Sequence, residues 1–273
     1  MTLSDTVCTA YREPDSAGAT TAPIPDGLNA LPLERAYRLQ HEVIDRLARR
    51  WGVRRAGFKI SCTGAADRDL IGASEPVYGV LTDAHLLAAG ARIDLAGAND
   101  PLVEPELLLR LIRVPDPGDE LADCVEVAAG LEVPTSRFRE WWPPGELPNL
   151  TLGGLVADNA VAGFVVAGAD WTRSSAADID ALTVEVRHPD GAVSRGRATN
   201  AYGSLLAALA WLIAAARRHG VDLPVGTVVA SGTFTPPIRA QRGTYVAHYP
   251  HIGTVDVTFD DSRLDAEETH HGA

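Results

Sequence analysis

Lysine is almost absent from this chain. Of its 24 basic side chains, 23 are arginine and only Lys59 is lysine. Arginine keeps its proton in proteins, whereas a lysine amine can lose it when desolvated or set near other charge. The retained lysine lies in Ala56-Gly57-Phe58-Lys59-Ile60-Ser61-Cys62 and reads in two ways. Either a coding bias left one lysine on the surface, or this position needs an amine that takes and gives a proton. Cysteine is scarce as well. Cys8, Cys62 and Cys124 are odd in number and widely spaced, which excludes a disulfide framework and a zinc-ligand pattern. With no signal peptide in view, the expected location is the cytoplasm. Net positive charge is missing too. At −12 the chain lacks the basic footprint that nucleic acid or an anionic membrane surface would require. A small anionic substrate remains compatible, because local arginines and a metal ion can outweigh a distant acidic field.

Long apolar runs are also lacking. Leu205 to Ala216 is too short to span a bilayer, and Asp158 and Asn159 interrupt Leu150 to Ala169. No Gly-x-Gly-x-x-Gly, P-loop or Gly-x-Ser-x-Gly occurs, which argues against nucleotide and serine-hydrolase chemistry.

What is present reads as α+β with a mostly β core. Residues 1–27, rich in Thr, Ala, Pro and Asp, form an expected flexible arm. Residues 28–56 form a helical region, with Leu33, Ala36, Tyr37, Val43, Ile44 and Leu47 near one helix face and Gly52 at its end. Residues 57–260 form the main mixed-β domain, and 261–273 an expected disordered tail. Within that domain, short β-type runs are broken by Gly, Pro and Asp. Cys124 to Leu131 fits a strand or a helix equally. Ser204 to Arg218 is a buried helix, with Ser204 as N-cap and Gly220 at C′.

Glu104-Pro105-Glu106 puts two carboxylates on one strand face, since residues i and i+2 point the same way. Two bare carboxylates side by side repel unless a cation lies between them. The alternative is a pair of solvated glutamates at a strand end. Glu132, flanked by Leu131 and Val133, could complete an all-oxygen site of the kind that suits Mg²⁺ or Mn²⁺. Asp158-Asn159 sits in an apolar stretch and reads more readily as a structural turn or cap. Ser231-Gly232-Thr233 follows a strand and either brings backbone N–H groups to a carboxylate or marks an ordinary turn out of the strand.

In order, Gly57-Phe58-Lys59-Ile60, Pro76-Val77-Tyr78-Gly79-Val80-Leu81-Thr82-Asp83, Glu104-Pro105-Glu106, Leu131-Glu132-Val133 with Ser136-Arg137, Val156-Ala157-Asp158-Asn159-Ala160, Ala210-Trp211-Leu212 and Ser231-Gly232-Thr233 resemble the 2-keto-4-pentenoate hydratase and 4-oxalocrotonate decarboxylase family. That family lies within the fumarylacetoacetate hydrolase-like superfamily. The resemblance spans about residues 33–259. It implies a mixed β-roll behind an N-terminal helical region, and a homodimer or larger homo-oligomer. It also implies Mg²⁺ or Mn²⁺ on Glu104, Glu106 and Glu132, a catalytic Lys59, and Asp83, Asp158, Ser231 and Thr233 around the substrate.

The implied chemistry is that of a lyase on a 2-oxo-alkenoate or 2-oxo-alkenedioate. The metal stabilises enolate charge and an amine of lowered pKa moves the proton. The chain departs from the family at Val77, where hydratases tend to carry an acid, and at Thr135, Val161 and Ser204-Leu205. Fewer polar groups then remain to handle water, which tilts the expectation towards decarboxylation. Two rivals stand beside it. One is a C–C hydrolase of a 1,3-diketo acid, which would need a Glu–His pair, with His85 the one histidine near the acidic motifs. The other is an altered member, working in natural-product biosynthesis or as a non-enzymatic binding protein.

Overall fold

The computed structural model describes residues 2–11 and 22–262. Within the segment expected to be a flexible arm, helix α1 (Leu3–Ala10) forms. Its signal is a capping box. The Thr2 hydroxyl accepts from the Asp5 N–H, and the Asp5 carboxylate accepts from the Thr2 N–H. The helix buries Val7 and Cys8 and lies along the amphipathic helix α2 (Leu33–Trp51), whose Arg46 donates to Ser4 and Asp5. Residues 12–21 of the arm and 263–273 of the tail lie outside the described residues.

From Arg55 onwards strands dominate. β1 (Arg55–Ser61) leads through α3 (Ala65–Ile71) to β2 (Val77–Thr82), β3 (Leu86–Ala88), β4 (Ala91–Asp94), β5 (Leu102–Leu111) and β6 (Val125–Val133). Next come α4 (Leu152–Ala157), β7 (Phe164–Ala167), α5 (Ala176–Ala181) and the hairpin of β8 (Thr183–Arg187) and β9 (Val193–Arg197). α6 (Leu205–His219) precedes β10 (Val228–Ala230), β11 (Ile238–Arg239), β12 (Gly243–Tyr249) and β13 (Gly253–Asp260). The ambiguous Cys124 to Leu131 run resolves as β6. It is buried on both faces, so the alternation that marks a strand is lost from its sequence.

The larger sheet runs β2-β1-β10-β5-β6-β7-β3, with β11 added to β5. The smaller runs β4-β13-β12-β8-β9. Pairing is mainly antiparallel, but β1 with β10, β3 with β7 and β4 with β13 are parallel. This is the mixed α+β architecture read from the sequence. Strands β12 and β13 pack against β6 and bury Tyr245, Tyr249, Val255 and Phe259 in the core between the sheets. Ser204 caps α6 by accepting from the Ala207 N–H, and Gly220 ends the helix in the left-handed region at φ 67°. The departure at Ser204 thus has a helix-capping role. Among the described residues no helix is long and apolar enough to cross a membrane.

Candidate active site

The site lies where β10 stops. β10 is a three-residue strand wedged between β1 and β5, and its register sets Lys59 and Leu108 on either side of Ala230. Beyond Ala230 the wedge ends, and side chains of β1 and β5 share the space it leaves. In the next ladder Glu104 pairs with Glu132, and Glu106 with Gly130. Pairing like charges directly across a ladder is unfavourable. Here it brings all three glutamates together, with one oxygen of each within 4.8 Å of the others.

Glu106 and Glu132 are fully buried, and Glu104 is half-buried at the rim. Lys59 is 1% exposed, and its Nζ lies 3.0 Å from Glu132 Oε1. The Gly232 N–H donates to Glu106 Oε2 at 2.8 Å, so the glycine-flanked hydroxyl motif does present a backbone donor to a carboxylate. Gly232 sits at φ 106°, and a Cβ there would come within 2.5 Å of Thr63. Glu106 Oε1 and Glu132 Oε2 have no hydrogen-bond partner. Buried carboxylate oxygens without donors are costly, and an oxygen-only cluster of this kind fits a hard divalent cation.

Burial, followed by the charge of Glu132, pushes the Glu104 carboxyl up to about 8, with Lys59 opposing. Burial and the neighbouring glutamates push Glu106 well above the carboxylate range. For Lys59, burial pulls downward, but the combined charge of Glu132, Glu104 and Glu106 outweighs it and holds the amine above its usual value. The lowered lysine pKa expected from the sequence therefore does not describe the protein alone. It would require the negative charge of the cluster, Glu132 foremost, to be neutralised.

A cavity opens from this cluster. Lys59, Glu104, Ser61, Thr63, Asp67 and Thr233 supply its polar lining. Leu70, Leu102, Trp141, Trp142, Leu155 and Val161 supply much of the apolar wall.

Of the four residues expected around the substrate, only Thr233 lines this cavity, with its hydroxyl bonded to the Thr235 carbonyl. Ser231 is buried and donates to the Leu107 carbonyl, bracing β5. Asp158 is turned away into a buried pair with Arg137, 2.9 Å from its Nε, and accepts from Ser136 Oγ at 2.6 Å. Asp83 is on the surface, held by the Arg54 backbone and guanidinium. His85 bonds Thr82, packs on Phe164 and lines a different cavity with Arg137. Val77 is buried in the main core, whereas Val161 lines the acid-bearing cavity.

Sequence reasoning missed Tyr249. From β12 in the other sheet, its hydroxyl reaches the carbonyls of Glu106, at 2.9 Å, and Gly130, at 2.8 Å. It ties the two glutamate-bearing strands, β5 and β6, at the point where Glu106 leaves the backbone. Tyr249→Phe should lower stability by about 1–3 kcal/mol by stranding buried acceptors, read as a shift in the denaturant midpoint. Ser61, Thr63, Asp67 and the tryptophan pair were also missed, although Trp141-Trp142 in a proline-rich loop was a visible signal.

No family model matches the chain. Its fold is shared with 4-oxalocrotonate decarboxylase from Pseudomonas putida, solved in complex with magnesium and adipate. That match has a TM-score of 0.79 and 23% identity over 95% of this chain and 99% of the other. Fumarylpyruvate hydrolase from Pseudomonas aeruginosa, solved with Mn²⁺ and pyruvate, matches with a TM-score of 0.57 and 16% identity, over 77% of this chain and 90% of the other. The fold is thus of the fumarylacetoacetate hydrolase-like class. In sequence, 2-keto-4-pentenoate hydratase from Burkholderia vietnamiensis is 30% identical over 254 residues, covering 91% of this chain and 94% of that protein. A 4-oxalocrotonate decarboxylase from a Pseudomonas species is 29% identical over 224 residues, covering 81% and 84%. The chain belongs to the 2-keto-4-pentenoate hydratase and 4-oxalocrotonate decarboxylase family of lyases.

Proposed function

We propose that this protein is a divalent-metal-dependent lyase of a 2-oxo-alkenoate in which Lys59 moves the proton. The observation that carries the reading is the convergence of three glutamates, two of them with unpartnered buried oxygens, beside the one lysine of the chain. Glu104, Glu106 and Glu132 would hold Mg²⁺ or Mn²⁺. When bound, such an ion supplies a Lewis acid for the 2-oxo-carboxylate end of the substrate.

The rest falls to the chain itself. Lys59 is fixed on a buried strand, so its Nζ can hand a proton to the substrate's carbon chain or take one from it with little reorganisation. Gly232 orients Glu106. Leu102, Leu155 and Val161 keep bulk water from the reacting carbons, while the hydroxyls of Ser61, Thr63 and Thr233 offer sites for single waters. The sequence's tilt towards decarboxylation rested on Val77 and on a shortage of polar groups at positions that depart from the family, and these hydroxyls are as compatible with hydration as with decarboxylation. A hydrolase of 1,3-diketo acids is disfavoured, because among the described residues no histidine lines the cavity.

Verified stripping with a chelator should abolish loss of diene absorbance, and Mg²⁺ or Mn²⁺ should restore it. The melting temperature should also rise with added Mg²⁺, since an ion bound by the folded acids stabilises that state. Full turnover by stripped protein would sink the proposal.

A further inference from the structure

The cavity's charge balance is one-sided. Among the described residues no arginine and no histidine lines it. Its only cation is Lys59, already paired with Glu132. Asp67 adds a second acid to the lining beside Glu104. Away from the glutamates most of the wall is leucine, isoleucine, valine, proline and tryptophan, broken by Cys62 and by the neutral hydroxyls of Ser61, Thr63 and Thr233, and it reaches the surface at Leu70, an apolar side chain left 43% exposed. A carboxylate at the far end of a substrate would meet this wall and the like charge of Asp67 with no free cation to pair with, which is costly away from bulk solvent. An alkyl or aryl end would instead cover Leu70, Leu155 and the two indoles.

We infer that the substrate is a 2-oxo acid whose remote end is uncharged and apolar, at least several carbons long, rather than a 2-oxo dioate. This rests on the 2-oxo acid reading of the same site and narrows it. It disfavours reactions that release a remote carboxylate as CO₂.

The test is calorimetric binding of two saturated probes, 2-oxooctanoate and 2-oxohexanedioate, to the full chain in excess Mg²⁺. Each methylene removed from water is worth about fourfold in affinity. The monoacid should therefore bind at least about tenfold tighter. Leu70→Arg, at an exposed position that should not disturb folding, should narrow that ratio by bringing a cation to the mouth. Equal or tighter binding of the dioate by the parent protein overturns the inference and leaves the lyase reading standing. Binding of neither probe overturns the 2-oxo acid reading and the inference with it.

Discussion

Lys59→Arg should lower turnover of a 2-hydroxy-2,4-dienoate by about 10²–10⁴-fold, the usual contribution of a positioned acid–base group, while the protein stays folded. Arginine keeps the positive charge beside Glu132, so the ion pair that spans β1 and β6 retains both partners. What it loses is an amine able to release its proton, since a guanidinium does not deprotonate in a protein. In the protein alone the acidic cluster, Glu132 foremost, holds the Lys59 amine above its usual value. Its use as a proton carrier therefore depends on those charges being neutralised, and arginine gains nothing from that change. The comparison is of kcat, with thermal melts confirming the fold. A rate near that of the parent would reduce Lys59 to a structural counter-ion.

Asp158→Ala should be the most damaging of these changes to stability, at about 3–5 kcal/mol, because it strands a buried guanidinium. Arg137 is 8% exposed, and its Nε is satisfied by the Asp158 carboxylate. Its other nitrogens go to the Asp158 and Ala162 carbonyls, so the charge itself would be left without a counter-ion. The loss should appear in the denaturant midpoint, with the folded fraction keeping a KM close to the parent's. Unchanged stability together with a raised KM would return Asp158 to the substrate site, the role its place in the sequence pattern implied.

The contrast between these two residues shows what the sequence could tell. Lys59 was legible because its rarity is a property of composition. Glu104 and Glu106 were legible because a two-residue strand period is local. That Glu132 faces Glu104 depends on the register of β5 against β6, which no local pattern states. Asp83 and Asp158 were placed with the substrate by the family resemblance, whereas the apolar run around Asp158 by itself read as a structural turn or cap. Their actual partners, Arg54 and Arg137, are chosen by folding and lie outside their own segments. Tyr249 acts across sheets, and nothing near it in sequence hints at Glu106. Helix α1 escaped notice because composition averages over a segment, whereas Thr2 and Asp5 carry its start in two residues.

The brevity of β10 has a mechanical consequence. β1 and β2 join the rest of the larger sheet through three residue pairs on each side of that strand. Lys59 and Glu132 stand on opposite banks of this narrow seam. Widening the seam would part Lys59 from the acids long before the hydrophobic layers separate. Loss of activity under mild denaturant would then report this joint, and would precede loss of the fold.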